Sequence, residues 1–214
     1  MTQPVPPPKT RTNDPQRTRA DIIEVATREF AEKGFAGARI DLIAEAMRTS
    51  KRMIYYYFGS KESLYLAVLE DAYGRIRQIE SELQLDDLEP VEALRTLVAF
   101  TVDYQRANPD FIRLVMNENM LRGVFLAQSK SIQQRNATAI GAVQAVYQRG
   151  VTAGVFRPGI DAVDLHMSIS ALSFFNVANN HTFSLIFKCD LDSPQAIDAR
   201  RANVVEMVLR YVGV

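Results

Sequence analysis

The chain has 214 residues, 47% of them hydrophobic, and its 25 Lys and Arg balance its 25 Asp and Glu, so it can bury a core but is not coated in positive charge. The single cysteine, Cys189, excludes an internal disulfide, and no Cys/His cluster has metal-ligand spacing. No apolar run reaches the roughly 20 residues of a membrane-spanning helix, and the N-terminus lacks the apolar core of a secretion signal. We therefore expect a cytoplasmic protein without a metal or cofactor.

The charge is unevenly distributed along the chain. The first 61 residues hold 11 Lys and Arg against 7 Asp and Glu, so this segment carries +4 and the remainder −4. Such an asymmetry is expected where one end of a protein meets a polyanion.

The N-terminal part begins with a segment unlike the rest. Residues 1–14 contain four prolines among small polar residues and are predicted to form a disordered arm. Asp14 followed by Pro15 is typical of a helix start, with a capping residue before proline at the first helical position. Apolar residues then recur on one helical face up to a natural stop at Gly34.

Two short helices follow. The pattern predicts a helix over 40–47, a tight turn at 48–50, and a third helix over 51–58 that Ser50 can cap. Such a pair is predicted to form a helix-turn-helix, whose second helix enters the major groove of DNA. The alternative is a helical hairpin held by aromatic packing.

The third helix has the composition of a DNA-reading element. Lys51 and Arg52 lie at its N-terminus, where backbone N–H groups also favour phosphate. Tyr55, Tyr56 and Tyr57 are consecutive, and at about 100° per residue they point three ways. At least one must face solvent or a partner, and exposed tyrosines beside basic residues suit sugar-phosphate and base contacts.

The rest of the chain is also predicted to be helical. Gly59 and Ser60 break the pattern before a long amphipathic helix over 61–80. Further helices are predicted over 91–107, 109–120, 129–150, 161–186 and 195–211. The fold class is therefore all-α, with a three-helix domain over 15–60 and a larger helical domain over 61–214, whose first helix connects the two.

The stretch from Gly34 to Leu64 reads GFAGARIDLIAEAMRTSKRMIYYYFGSKESL and resembles the DNA-binding signature of the TetR family. The shared features include a glycine-aromatic pair after the first helix, Ser50-Lys51, and the aliphatic-aromatic run over 54–58. The similarity covers about residues 16–69. It implies a ligand-responsive repressor that binds a palindromic operator in double-stranded DNA as a homodimer and is released by a small-molecule effector.

The resemblance also implies roles for single residues. Tyr55 and Tyr57 match positions that bind phosphate or support the recognition helix, whereas Tyr56 matches a position facing the groove. Lys61 would hold a phosphate at the start of the next helix. The predicted DNA-binding set is Arg39, Arg48, Thr49, Ser50, Lys51, Arg52, Met53, Tyr55, Tyr56, Tyr57 and Lys61.

Two positions depart from the family pattern. The family usually has Thr at the position of Arg39, which could reach phosphate with its charge instead. It usually has Gly at the position of Arg48, and a left-handed conformation costs Arg about 1 kcal/mol more than Gly. We therefore expect a turn of different shape and a changed tilt of the recognition helix.

The second domain would carry dimerisation and effector binding, by resemblance. Its last two helices, 161–187 and 195–211, are apolar nearly all round, so they should be buried on several sides. We interpret them as the interface of a homodimer, since twofold oligomers are common and DNA half-sites require one. The alternative is the core of a monomer.

Polar residues within these apolar helices are the candidates for an effector pocket. At each position a satisfied core or interface residue is favoured over a ligand contact, and we interpret Met116 and Met120 as ordinary core residues. The mixed aromatic and amide character favours a small aromatic or heterocyclic effector. The candidates are Met116, Asn119, Met120, His166, Phe174, Phe175, Asn176, Asn179 and His181.

Catalysis is not expected. The chain has only two histidines, Cys189 has no base near it in sequence, and Glu118 is a lone acid in an apolar stretch. No glycine-rich phosphate loop is present. The remaining alternative to a repressor is a helical protein-interaction module that has lost specific DNA binding.

Overall fold

The computed structural model of the chain describes residues 14–214, so the arm predicted for residues 1–14 lies, apart from Asp14, outside the described residues. The predicted all-α class is confirmed, since the named elements of this part are α-helices and two short 3-10 turns. The α-helices are α1 (Pro15–Gly37), α2 (Ile40–Ala46), α3 (Lys51–Phe58), α4 (Lys61–Ser81), α5 (Pro90–Ala107), α6 (Pro109–Met120), α7 (Lys130–Thr152), α8 (Ala162–Ala178), α9 (Asn180–Phe187) and α10 (Pro194–Val212).

Side-chain caps set most of the helix starts. The Asp14 carboxylate accepts hydrogen bonds from the backbone N–H groups of Gln16 and Arg17, at 3.0 and 3.2 Å. Such caps satisfy backbone donors that the first helical turn leaves free. Side-chain oxygens cap α3, α4, α7, α8 and α10 in the same way, from Ser50, Ser60, Ser129, Asp161 and Ser193.

The prediction of one helix over 161–186 is wrong. The backbone of Asn179 leaves helical geometry (φ −108°, ψ 8°), so the segment divides into α8 and α9. Beyond the break, the Asn180 amide donates to Asp192 at 2.9 Å and accepts from the hydroxyl of Ser184 at 3.3 Å. The Asn179 amide also donates to the backbone carbonyl of Phe175 at 3.4 Å, and asparagine side chains compete with helical hydrogen bonding through such contacts with the backbone. Apolar periodicity gives no sign of this break.

The helices enclose two hydrophobic cores. The head core joins α1, α2, α3 and the first half of α4, around side chains such as Ile22, Ile43 and Leu64. The body core joins α5, α7, α8 and α10, with Leu165 and Val204 wholly buried. None of the helices that the structure describes is both long and apolar enough to cross a membrane.

The head core is completed by residues of the body. Leu114, Phe125 and Ile132 all belong to it, although they follow α5 in the chain. The ring of Phe125 lies 4.6 Å from that of Phe35 and 4.9 Å from that of Tyr65, between ring centroids. We call these three rings, with that of Phe30, the junction cluster. The head therefore has no complete core without the end of α6 and the start of α7.

A buried acid fixes the segment that delivers Phe125. Glu118, at the end of α6, is 1% exposed, and its Oε1 accepts from the backbone N–H groups of Phe125 and Leu126 at 2.8 and 3.3 Å. Burial and the nearby Glu118 carboxylate raise the pKa of the Tyr65 hydroxyl, which stays neutral. The lone acid noted in the sequence therefore has a structural role at the junction.

We expect Glu118→Gln and Glu118→Leu to differ sharply in stability. The Gln amide oxygen can still accept from the two backbone N–H groups, so this change should alter the free energy of unfolding by less than about 1 kcal/mol, whereas Leu leaves both donors unpaired at about 1–3 kcal/mol each. Urea unfolding followed by circular dichroism, at one protein concentration, measures both. Equal effects of the two variants would contradict this role.

Candidate nucleic-acid interface

The turn between α2 and α3 is a two-bond helix cap. The backbone N–H of Thr49 donates to the carbonyl of Ala44, and that of Arg48 to the carbonyl of Glu45, both at 2.9 Å. This cap requires a left-handed residue just after the helix, and Arg48 occupies that position with φ 54°. Arg48 thus adopts the conformation that the sequence argument expected it to avoid, and the turn keeps its left-handed residue.

The third helix is anchored on one face and open on the other. Ile54 and Phe58, one turn apart, are 1% and 8% exposed and belong to the head core. The hydroxyl of Ser50 accepts from the backbone N–H of Met53 at 3.3 Å and fixes the first turn. The side chains that point away from Ile54 and Phe58 are therefore held in place without being needed for packing.

The open face of α3 carries most of the predicted DNA-binding residues. Lys51, Arg52, Met53, Tyr55 and Tyr56 are all exposed, and Tyr56 is exposed to 79%. The three tyrosines do point different ways, as predicted. Tyr57 is half-buried against the head core, with its ring edge-on to that of Tyr56 at 5.3 Å between centroids.

An acid on α2 neutralises part of this face. Asp41 accepts from the guanidinium of Arg39 at 2.6 Å and lies 3.8 Å from the ammonium of Lys51. The hydrogen bond from Arg39 holds the pKa of Asp41 below its ordinary value, so Asp41 stays ionised. Exposed ion pairs of this kind stabilise by at most about 1 kcal/mol, so a phosphate group can compete for either cation.

The cation at the start of α4 is held differently. The ammonium of Lys61 lies 5.0 Å above the centroid of the Phe35 ring, next to the junction cluster. A cation–π contact of this type contributes about 0.5–1 kcal/mol at an exposed site. Lys61 therefore joins the predicted interface to the core of the head.

The structure does not bring the nine effector candidates into one pocket. Met116 and His181 line a cleft of about 420 Å³ between α6 and α8–α9, and Asn176 lines a small gap between α5, α8 and α10. Asn119 donates to the carbonyl of Val115 in its own helix. Met120 is 74% exposed.

Three of the remaining candidates lie on α8 and one at its end. Phe175 is half exposed, with its ring edge-on to that of Phe183 in α9 at 5.9 Å between centroids. Phe174 is half-buried, and Asn179 marks the helix break. Burial lowers the pKa of His166, and the positive charge of Arg77 lowers it further.

The interpretation of Met116 and Met120 as ordinary core residues is wrong, since these residues are 39% and 74% exposed. Both lie on the outer side of α6, whereas the buried residues of this helix are Ile112, Leu114 and Glu118. The apolar character of these methionines therefore gave no guide to their position.

An ion pair inside the body was not predicted from the sequence. Arg77 and Glu80 on α4 form a salt bridge whose side chains are only 13% and 9% exposed. Arg77 also donates to the amide oxygen of Asn136 on α7 at 3.1 Å. The signal was available, because Tyr73, Ile76 and Glu80 follow the helical spacing of a buried face.

Two family models match the chain. Residues 22–68 match the model described as bacterial regulatory proteins, tetR family. Residues 90–208 match the model described as a tetracyclin repressor-like C-terminal domain. Together they cover the head and most of the body.

Individual proteins agree with these models. The chain is 37% identical over 186 residues to the HTH-type transcriptional repressor NicS of Pseudomonas putida, covering 87% of this chain and 88% of NicS. The putative transcriptional regulator SCO4942 of Streptomyces coelicolor is 28% identical, with a TM-score of 0.68 over 91% of this chain and 98% of that chain. AibR in complex with isovaleryl coenzyme A and operator DNA shares the fold at 18% identity, with a TM-score of 0.66 over 88% of this chain and 96% of that chain.

We expect Arg48→Gly to stabilise the protein relative to Arg48→Ala. Both variants remove the same charged side chain, but only Gly adopts the left-handed conformation at φ 54° without steric cost. The free energy of unfolding should differ by about 1 kcal/mol in favour of Gly. Thermal unfolding of the two variants under identical conditions measures this difference, and equal melting temperatures would contradict a left-handed turn.

Proposed function

The chain belongs to the TetR family of bacterial regulatory proteins, and we propose that it is a homodimeric repressor that binds a palindromic operator through α3 and is released by a small-molecule effector. One observation carries this proposal. The exposed face of α3 presents Lys51, Arg52 and Tyr56 on a helix that Ile54 and Phe58 anchor in the head core. We assign DNA binding to residues 15–60 and effector binding with dimerisation to residues 61–214.

The residues of the interface divide into two groups by position. Arg52, Met53 and Tyr56 project from the exposed face of α3 and are assigned to base edges in the major groove. Lys51, Tyr55 and Arg39 flank them and are assigned to phosphates, which fix the register of the protein on DNA. Arg48, Thr49, Ser50, Tyr57 and Lys61 are assigned supporting roles at the edge of the interface.

The dimer is supported by apolar surface on the last three helices. Met167 and Phe175 of α8 are 59% and 50% exposed, and Met207 and Tyr211 of α10 are each 40% exposed. In α9, the consecutive residues 185–187 are between 62% and 80% exposed. Exposed large apolar side chains that cluster on one surface mark interaction sites, and a twofold partner presenting the same surface would bury both copies.

Release by an effector requires contact between the body and the head. The junction cluster provides it, because Phe125 from the body packs directly on Phe35 and Tyr65 of the head. An effector that prefers one arrangement of the body therefore changes the spacing of the two recognition helices. The free energy of DNA binding then weakens by at most the difference between the effector's binding free energies for the two arrangements. AibR has been solved with both a coenzyme A ester and operator DNA.

Two alternatives receive less support. A protein-interaction module without DNA binding does not require a cation such as Arg52 beside Tyr56 on an exposed helical face, and neither residue belongs to the head core. An enzyme is disfavoured because the family consists of regulators. Because DNA is the target, we place the protein in the cytoplasm.

We expect Lys51→Gln to weaken binding to any DNA duplex and to reduce its salt dependence, because Lys51 is exposed and is assigned to a phosphate. The dimer loses two cations from its interface, so the slope of log affinity against log salt should become shallower by about 1.8. Fluorescence anisotropy with a labelled 30-base-pair duplex of random sequence, at several salt concentrations, measures this slope.

Arg28→Gln is the matched control, because Arg28 is an exposed arginine on α1 that pairs with Glu24 and lines the cleft towards the body. This variant should bind the duplex as the wild type does. An equal change of slope in both variants would place the DNA elsewhere on the head.

We expect Met207→Glu to dissociate the dimer. The change places two carboxylates in the apolar interface, and burying an unpaired charge there is strongly unfavourable. Val91→Glu is the control, since Val91 is also exposed but lies at the start of α5. Sedimentation velocity should give a monomer for the first variant and a dimer for the second, and a dimer in both would move the interface away from α10.

A further inference from the structure

Helices α4 and α7 run side by side in the same direction, away from the head, and polar contacts join them in steps. At the lower end, Glu70 accepts hydrogen bonds from the hydroxyls of Ser129 and Ser131, at 2.6 and 3.2 Å. One turn further up, the guanidinium of Arg135 lies over Gly74, 3.7 Å from where a Cβ would stand. The lower part of this seam is therefore closed.

The middle and the top of the seam are also joined. In the middle, Arg77 donates to Asn136 at 3.1 Å and pairs with Glu80 of its own helix. At the top, the guanidinium of Arg149 donates to the carbonyls of Leu85 and Leu88, at 2.7 and 3.1 Å. Polar contacts therefore join α4 and α7, or the turn after α4, on both sides of the part that lies between Arg77 and Leu85.

In that part the seam is open. A cleft of about 450 Å³ separates the two helices, within the range of roughly 300–1,000 Å³ that is typical of small-molecule sites. Apart from Gln78 and the charged residues, small side chains make up most of its lining. They are Ser81 on α4 and Thr138, Ala139 and Ala142 on α7, with Leu85 closing one end.

The charges of the cleft favour an anion. Its lining includes Arg77, Arg135 and Glu80, so it carries a net charge of +1. Glu80 is buried and already neutralised by Arg77. Arg135 is exposed and makes no salt bridge with another residue in the part of the chain that the structure describes. The cleft thus combines alanine and leucine walls with one available guanidinium at its edge.

We propose that the cleft between α4 and α7 binds a small organic anion with an apolar body and one acidic group, the acidic group on Arg135 and the body against Ala139, Ala142 and Leu85. This inference rests on the proposed function, because it gives the ligand a regulatory role. Both helices enter the head core at their lower ends, through Leu64 and Ile132. A ligand that widens the seam therefore shifts Tyr65 of α4 relative to Phe125 within the junction cluster and changes the position of the head.

The test uses a matched pair of probes on the full-length protein. 1-Anilinonaphthalene-8-sulfonate has an apolar body with one sulfonate, and N-phenyl-1-naphthylamine is its uncharged counterpart. Fluorescence titration gives the Kd of each probe. We expect Arg135→Gln to weaken the sulfonate about fivefold, as loss of one exposed charge pair implies, and to leave the uncharged probe unchanged. Ala142→Trp fills the cleft and should weaken both probes at least tenfold.

Arg95→Gln is the control for charge, because Arg95 lines the separate cleft between α5 and α10. The inference is overturned if Arg95→Gln weakens binding of the sulfonate probe and Arg135→Gln does not. It is also overturned if neither probe binds the wild type, or if Ala142→Trp leaves the affinity of both probes unchanged. Thermal unfolding by circular dichroism checks that each variant is folded.

Binding of the labelled random-sequence duplex distinguishes a failure of the proposed function from a failure of the proposed ligand cleft. In the absence of probe, Arg135→Gln should bind the duplex as the wild type does, since Arg135 is an exposed side chain of α7 and its loss leaves the cleft empty and the seam at its original width. A wild type that binds the probes at this cleft but binds no duplex would contradict the proposed function alone. A wild type that binds the duplex, with probe affinities that neither variant changes, would contradict this inference alone.

Discussion

The packing of Phe125 against Phe35 and Tyr65 is the contact on which the arrangement of the molecule depends. The head consists of α1, α2, α3 and the first half of α4, and would be small for a domain with its own core. It becomes complete only when the body supplies an aromatic ring and two aliphatic side chains. The Glu118 carboxylate accepts a hydrogen bond from the backbone N–H of Phe125 and so fixes the position of that ring. The Asn117 amide, on the same helix as Glu118, donates to the carbonyl of Phe30 at 3.2 Å. The head therefore cannot change position independently of α6.

In the proposed function, this dependence is how the body acts on the head. Helix α4 begins in the head core and ends beside the body core, with Leu64 in the first and Leu85, just beyond its end, in the second. Helix α7 contributes to both cores in the same way, through Ile132 and Val143. A change in the separation of these two helices therefore displaces the rings of the junction cluster. Since packed cores are close to incompressible, small displacements there are transmitted rather than absorbed.

The parts of the fold that depend on neighbouring residues could be predicted from the sequence. Caps such as Asp14, and the family motif around Ser50, predicted most of the helices and the exposed face of α3. What could not be predicted depends on contacts between distant residues. The break at Asn179 is accompanied by the bond of Asn180 to Asp192, and the outward position of Met120 depends on which side of α6 meets the head. The effector candidates failed to converge for the same reason.

Sequence-specific DNA binding by a dimer is the central claim, and selection from a pool of random duplex DNA, with sequencing of the bound fragments, tests it most directly. We predict enrichment of an inverted repeat whose half-site centres lie about one DNA turn, roughly 34 Å, apart or a multiple of this. Binding that is weak, abolished by moderate salt and without sequence preference would contradict the account, because phosphate contacts alone produce that behaviour.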